Sequence, residues 1–267
     1  MPELPEVETI RRDLLKALKD EEIKAIGVYD LKALEGISQD EASHLWQGKR
    51  ITDIKRRGKY LLFELLEGSF VVHLRMTGKL LVVPLESEVR YQRVRFVFSD
   101  KALVFADVRR FGRIYALGLS ALDRLGPEPL EEEFTAQYLE SILQKSGRPI
   151  KTFLLDQNNV AGLGNIYVDE ALFMAKIHPL RPAKSLRTGE VKELVDAIKI
   201  VLDRAISLRG TSFSDYRDGF DKKGSFQEHL SVYGRAGEPC IRCGRVLEKI
   251  RVGGRSTVFC YSCQKGD

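Results

Sequence analysis

The sequence predicts an α+β protein: a helix and many short strands first, then helices, then a small hairpin bounded by cysteines. Three observations predict it. Short apolar runs punctuated by Gly, Ser and Asp fill residues 23–117, helical periodicity takes over beyond residue 135, and two Cys-x-x-Cys turns close the chain. A length of 267 residues suits two domains plus a small module.

Each element has its own reason. Val7, Ile10, Leu14 and Leu18 recur at helical spacing, so residues 6–18 read as an amphipathic helix, with Pro5 well placed near its start. Residues 60–65, 70–74 and 93–98 are the clearest strands, and so many at close spacing predict a sandwich or a barrel. The strand pattern stops at the rigid, polar run Gly126-Pro127-Glu128-Pro129. That run divides the chain into domains at 1–129, 130–230 and 231–267. Helical patterns cover about 135–144, 150–157, 165–176 and 189–208, and the polar, Gly-containing stretch 209–224 reads as a mobile loop.

All four cysteines lie in Cys240-Ile241-Arg242-Cys243 and Cys260-Tyr261-Ser262-Cys263, with sixteen residues between the pairs. Such turns can set four sulfurs around one zinc ion. Two disulfides are the other reading, which suits a secreted protein; the N-terminus has no basic region followed by an apolar core. Four thiolates would leave no open position, so the metal would be structural.

Formal charge is +5, and a zinc ion with four thiolates would bring it to +3. Residues 49–59 hold six basic residues against one acid, and the stretch from Arg235 to the end holds seven against three. Either cluster alone could be a solvated face; together with a zinc module they favour an anionic polymer. Hydrophobic residues make up 43% and charged residues 30%, as in packed soluble proteins, and no apolar run is long enough to span a membrane. A cytoplasmic location is expected, nucleoid-associated if the polymer is DNA.

Two further segments carry candidate chemistry. The run from Asp156 through Gly162-Leu163-Gly164 to Asn165 lies between helical patterns. It reads either as a plain helix–turn–helix corner or as a phosphate clamp, since free N–H groups at a helix start favour an anion. It lacks the Gly-Lys-Ser/Thr of a nucleotide loop. At the other end, Met1-Pro2-Glu3-Leu4-Pro5-Glu6 reads blindly as a helix start. With Met1 removed, however, Pro2 would expose an α-amino group of pKa roughly 7.7–8, able to attack a sugar C1′ as a nucleophile. Glu3 beside it could move protons.

Taken together in order, the segments resemble the formamidopyrimidine-DNA glycosylases along the whole chain. The resemblance is carried by Pro2-Glu3-Leu4-Pro5-Glu6, Arg57-Gly58-Lys59-Tyr60, His73-Leu74-Arg75-Met76-Thr77-Gly78 and Asp107-Val108-Arg109-Arg110-Phe111-Gly112. It continues through Asp156-Gln157, Gly164-Asn165-Ile166-Tyr167, Val232-Tyr233-Gly234-Arg235 and the cysteines. The resemblance implies a helix-capped β-sandwich, a helix–two-turn–helix domain and a four-cysteine zinc finger hairpin, with damaged duplex DNA in the cleft and its lesion flipped out. It implies a monomer that excises oxidised purines through a Schiff base and cleaves the strand by β,δ-elimination.

Residue by residue, it makes Pro2 the nucleophile, Glu3 the acid/base group and Lys59 a phosphate-binding lysine beside the lesion. Met76, Arg109 and Phe111 enter the duplex; Asn165 and Arg255 clamp phosphates; Lys151 faces DNA; Glu6 lies near the site; Cys240, Cys243, Cys260 and Cys263 hold zinc. The loop from about residue 212 to 224 caps the flipped base. Many members have Lys-His-x-His where this chain has Arg90-Tyr91-Gln92-Arg93, which makes Arg93 the substitute phosphate contact, and a Pro where Tyr261 stands. An endonuclease VIII-like enzyme for oxidised pyrimidines and a catalytically inactive DNA-binding homologue are the alternatives. The Pro-Glu-Leu-Pro start and the Met76, Arg109, Phe111 set speak against the first, and intact Pro2, Glu3 and Lys59 against the second.

Overall fold

The structure, a computed structural model, describes residues 1–116, 120–213 and 216–266. It divides into two compact units, Met1–Asp123 with Leu208–Gln227, and Arg124–Ser207 with Glu228–Asp267.

The first unit opens with α1 (Leu4–Leu18), where Glu3 and Glu6 form a reciprocal capping box and Pro5 sits in the first turn. Its stripe of Val7, Ile10, Leu14 and Leu18 is buried. Then come β1 (Ala25–Val28), β2 (Leu34–Glu35), α2 (Gln39–Trp46), β3 (Ile51–Arg57), β4 (Tyr60–Leu65) and β5 (Ser69–His73). They are followed by β6 (Gly78–Pro84), β7 (Gln92–Val97), β8 (Lys101–Asp107), β9 (Arg113–Tyr115) and α3 (Ser120–Asp123). One sheet has the order β1-β7-β8-β6 and the other β2-β9-β5-β4-β3. All pairings are antiparallel except β2 with β9.

The two sheets form a sandwich rather than a barrel, and aromatic rings join them. Phe63 and Phe70, register partners on β4 and β5, stack at 4.4 Å, and Phe70 stacks at 5.1 Å on Phe96 of the opposite sheet. Trp46 closes on Phe70 at 5.0 Å and Phe96 at 6.0 Å. Offset and tilted rings at such distances add to the burial of their area. Helix α1 packs against β3, β4 and β6, so it caps strands of both sheets. Glu8 on α1 ties it to β3 through Arg56 at 3.1 Å while also binding Arg11 and Arg12.

The stretch expected to be a mobile loop returns to this unit, and its described residues are held by α1. Arg209 pairs with Asp13 at 2.6 Å, Gly219 N–H donates to the same carboxylate at 3.1 Å, and Glu6 accepts from Thr211 N–H at 2.7 Å. Tyr216 is buried in the sandwich core and donates its hydroxyl to the Arg209 carbonyl at 3.1 Å. Part of the stretch's polar composition thus serves partners on α1, while Asp221, Lys222 and Lys223 are exposed.

The second unit contains α4 (Ala136–Leu143), α5 (Ile150–Leu154), α6 (Asn165–Met174), α7 (Thr188–Ser207), β10 (Glu248–Val252) and β11 (Arg255–Phe259). Helix α6 is buried on every face from Ile166 to Phe173, packed by α5, α7 and β11. The turn before it is built by Gln157, which donates to the Leu155 and Leu163 carbonyls at 3.0 and 2.9 Å and accepts from Gly162 N–H at 2.9 Å. Those bonds explain why α5 stops at Leu154, short of the periodic pattern. β10 and β11 are joined by Gly253-Gly254, both at positive φ (54° and 77°), the glycine pair that a tight two-residue hairpin turn demands. Among the described residues no helix is long and apolar enough to cross a membrane.

Candidate active site and nucleic-acid contacts

Pro2 is buried directly ahead of the α1 N-cap, and Met1 beyond it is half exposed. Glu3 is buried at the N-cap. Both oxygens of Glu6 are engaged, one by Glu3 N–H at 2.8 Å and the other by Thr211 N–H at 2.7 Å. Gly210, at φ 78°, lies against this carboxylate so closely that a Cβ would come within 2.7 Å of Oε1. Glu6 therefore fixes the backbone of the N-terminus and of the returning segment at once, a more definite role than its sequence position suggested.

Lys59 follows Gly58, at φ 57°, in the tight β3–β4 turn and is largely buried. Near it is His73, whose ring meets Tyr60 edge-on at 4.4 Å and whose Nδ1 accepts from Arg75 N–H at 3.0 Å. Burial, with Arg75 and Lys59 adding to it, pushes the His73 imidazole down to about 3. This histidine is neutral at physiological pH, which keeps Lys59 from facing a second cation.

Met76, Arg109 and Phe111 come from two segments, 74–78 and 107–112, and form one exposed group. Arg109 Nη1 lies 3.4 Å from Met76 Sδ, and its guanidinium sits 4.8 Å over the Phe111 ring. Met76 and Phe111 are exposed, at 43% and 46%, which excludes the core-packing role such residues usually have. The neighbouring arginines are already bound. Arg110 makes a two-point contact with Asp30 at 2.6 and 2.8 Å. Arg93 donates to the Asp107 carbonyl at 2.8 Å and lies 3.6 Å from Asp30. Arg93 thus supports the 107–112 segment, and is not the free phosphate contact expected of it.

In the second unit, Arg255 is exposed beside the hairpin tip, and its guanidinium has no partner among the described residues. Asn165, the first residue of α6, donates its amide to the Ser256 carbonyl at 3.0 Å. Lys151, expected to face DNA, is instead completely buried. Its ammonium pairs with Asp169 at 2.6 Å and donates to the same Ser256 carbonyl at 3.0 Å. Asp169 also accepts from Val258 N–H at 3.3 Å, and burial pushes its carboxyl up to about 7 against the pull of Lys151. Next to it, Glu170 accepts from the N–H groups of Ser231, Val232 and Tyr233 at 2.8–2.9 Å, which fixes the Val232-Tyr233-Gly234 turn.

The sulfurs of Cys240, Cys243, Cys260 and Cys263 all lie within 4.8 Å of one another, with Cys240–Cys263 at 3.9 Å and Cys243–Cys260 at 3.5 Å. A tetrahedral zinc with bonds of about 2.3 Å sets its sulfurs about 3.8 Å apart, so the four residues fit one zinc ion. Arg242, between the first pair, donates to the Phe173 and Met174 carbonyls at 2.6 and 3.1 Å. It caps the negative end of α6 and docks the finger on it.

Three organising carboxylates escaped the sequence reading: Asp107, Asp169 and Glu170. Their signal was present. Asp107 is an acid heading a basic run, and Asp169-Glu170 interrupts an otherwise apolar helix. Ionisable groups in such settings are usually buried and partnered.

A β-sandwich with exposed Met, Arg and Phe on fixed turns, and a helical unit carrying a four-cysteine zinc hairpin, define a zinc-finger protein built to grip nucleic acid. Three family models match in order: the formamidopyrimidine-DNA glycosylase N-terminal domain over residues 1–114, the formamidopyrimidine-DNA glycosylase H2TH domain over 125–217, and the zinc finger found in FPG and IleRS over 237–266. Formamidopyrimidine-DNA glycosylases of Chloroflexus aurantiacus and Desulfitobacterium hafniense are 46% and 47% identical, each over 99% of this chain and 98% and 100% of their own. The crystal structure of a Lactococcus lactis FPG mutant with a Fapy-dG containing DNA matches with TM-score 0.93 at 39% identity, covering 99% of this chain and 100% of that one. The FPG protein from Thermus thermophilus matches with TM-score 0.89 at 42% identity, covering 98% of both chains. The chain belongs to the formamidopyrimidine-DNA glycosylase family.

Proposed function

We propose that this chain is a bifunctional DNA glycosylase and AP lyase that removes oxidised purines, 8-oxoguanine and formamidopyrimidines, from duplex DNA in base excision repair. The observation that carries the reading is the buried Pro2-Glu3 pair at the head of α1. The relatives' names and the Fapy-dG and abasic-site DNA in the Lactococcus lactis structures support the substrate class.

Removal of Met1 turns the Pro2 nitrogen into a secondary amine. The positive end of α1 disfavours its ammonium form, which adds to the low basicity of any α-amino group. The lesion must leave the stack to be reached. The amine then attacks C1′; the N–C1′ bond forms as the glycosidic bond breaks, and the base departs with the bonding pair and a proton. Ring opening gives the iminium, whose C2′ proton is acidic enough for β-elimination, and δ-elimination follows. Glu3 moves the protons, and Lys59 holds the phosphate beside the lesion. Met76 and Phe111 fill the gap as apolar wedges while Arg109 meets the acceptors of the orphaned base. Asn165 and Arg255 clamp phosphates, and Lys151 acts behind them by holding Ser256. Zinc bound by the four cysteines supplies the hairpin's fold, with no open position for a reaction step.

Chemistry thus falls to residues 1–129 and grip to 130–230 and 231–267. The enzyme works as a monomer on the chromosome, in the cytoplasm and associated with the nucleoid. The test is borohydride trapping on 8-oxoguanine:C and thymine-glycol duplexes with Met1-free protein. A covalent adduct formed preferentially on the first is expected. Preference for the second would make the chain an oxidised-pyrimidine enzyme, and no adduct on any substrate would remove the lyase.

A further inference from the structure

We propose that Asp107 is the positioning residue that holds Met76, Arg109 and Phe111 in register, and thereby sets how the enzyme reads the base opposite the lesion. The inference rests on the function proposed above and adds to it a determinant of specificity.

The three side chains leave two different segments, each with a left-handed residue in it, Arg75 at φ 54° and Arg110 at φ 61°. Neither backbone is a regular element that would hold its shape unaided. Both converge on the Asp107 carboxylate, which is 1% exposed. Its Oδ1 accepts from the Thr77 hydroxyl, on the Met76 segment, and from Arg109 N–H at 3.1 Å. Its Oδ2 accepts from Phe111 N–H at 2.9 Å and Gly112 N–H at 2.8 Å. One oxygen joins the two segments, and the other closes the second. Arg109 N–H also lies 3.3 Å from the Thr77 hydroxyl, so Thr77 is the tie between them.

The chemistry of the group matters as much as its place. An ionised carboxylate only accepts, and it offers enough lone pairs for all four donors. Bonds to a charged acceptor are also the stronger kind. An asparagine would turn an N–H₂ against at least one donor. The loop is seated as well as bonded: a Cβ on Gly112 would fall 2.5 Å from the Phe105 ring and 3.2 Å from Asp107 Oδ2. With Arg93 and Arg110 engaged by the Asp107 carbonyl and Asp30, Arg109 is left to face the partner base. An unpaired cytosine offers it two adjacent acceptors, whereas adenine offers one acceptor beside a donor. Discrimination therefore depends on where Arg109 is held.

The experiment compares Thr77→Val, Thr77→Ser and Asp107→Asn with the unsubstituted, Met1-free enzyme. The readout is the rate of 8-oxoguanine excision opposite dC divided by the rate opposite dA. Trapping on single-stranded abasic DNA, which has no opposite base, normalises for folded enzyme. Thr77→Val is expected to lower the ratio about tenfold, as loss of one hydrogen bond to a charged acceptor would, with Asp107→Asn lowering it further. Thr77→Ser, which keeps the hydroxyl, restores it. An unchanged ratio in Thr77→Val overturns the inference even if Asp107→Asn fails to fold. So does an equal fall of duplex excision and single-strand trapping, which marks a purely structural carboxylate. Failure of the unsubstituted enzyme to trap abasic DNA sinks the functional reading itself, and is told apart because no variant enters it.

Discussion

Asp107, in the first unit, ends a strand of a broad sandwich; Asp169, in the second, lies on α6 beneath a two-stranded ribbon. Each is a buried carboxylate that fixes a segment bearing an exposed arginine, Arg109 in one case and Arg255 in the other. Asp107 is satisfied by neutral donors, three N–H groups and a hydroxyl. Asp169 is satisfied by a buried ammonium and one N–H. The ground beneath them differs too. Among the described residues the sandwich core gathers twenty-seven buried side chains, whereas the cluster under the finger gathers six, two of them zinc-binding cysteines. On the larger core Asp107 shapes its loops through neutral donors, with the Arg110–Asp30 ion pair beside them. A ribbon with so little apolar area needs an ion pair and a metal.

Metal removal is the strongest way to break this contrast. Structural zinc is worth about 10–16 kcal/mol in isolated fingers. Chelation, or Cys260→Ser, should therefore disorder the β10–β11 hairpin, abolish zinc stoichiometry and remove DNA binding. Trp46, the single tryptophan, is buried in the sandwich. Its fluorescence should not change on chelation; if it shifted, the sandwich would also depend on the metal.

The ion pair comes next. Asp169→Ala strands a fully buried ammonium, and breaking such a pair costs roughly 3–5 kcal/mol. The double variant Lys151→Met with Asp169→Leu should recover most of that loss in denaturant unfolding, because apolar residues of similar volume can replace a buried pair. No recovery would show that the pair's bonds to Ser256 and Val258 matter more than its charge.

A smaller effect belongs to the sandwich. His73 is held near 3 against an ordinary 6.5, by burial first. The unfolded chain therefore binds its proton first, and the stability His73 confers by staying neutral is full above pH 6.5. It is lost as pH falls through the folded value, a few kcal/mol in all. His73→Gln should flatten the pH dependence of Trp46 unfolding between about pH 6.5 and 4.5. Below that Glu8 adds its own slope, since burial opposes but Arg11, Arg12 and Arg56 outweigh it to hold its carboxyl down at about 2. An identical slope in the variant would assign the acid sensitivity elsewhere.

The smallest change sharpens the comparison without disturbing either foundation. Arg255→Ala should weaken DNA binding and reduce the magnitude of the salt slope by about one counterion. Titration at several salt concentrations checks this, and an unaltered slope removes Arg255 from the phosphate contacts.

Much of this was legible in the sequence because the governing interactions are local. The α1 stripe, the punctuated strands and the Cys-x-x-Cys spacing depend on residues a few positions apart. Lys151 was misjudged because a lysine reads as surface, and its partners Asp169 and Ser256 lie 18 and 105 residues away. The return of residues 208–227 was hidden for the same reason. A polar stretch looks solvated until Asp13 and Glu6, roughly two hundred residues earlier, are seen to receive the Arg209 guanidinium and the Thr211 N–H. The trio's contact was likewise beyond reach, since its two segments lie some thirty residues apart and meet through the β6–β8 pairing of Gly78 with Asp107 and the Thr77–Asp107 bond.

The bond from Thr211 to Glu6 also sets a timetable for synthesis. The first unit consists of residues up to 123 and a segment from 208 to 227, so its last piece emerges after α4–α7 of the second unit have been made. At ribosomal speeds of about 5–20 residues per second, the 104 intervening and closing residues (227 − 123) take about 5–20 s to appear. During that interval the nascent sandwich holds Glu6 with its Thr211 partner still unsynthesised. The fastening of the segment that carries Pro2 is therefore completed late, after α4–α7 have been made.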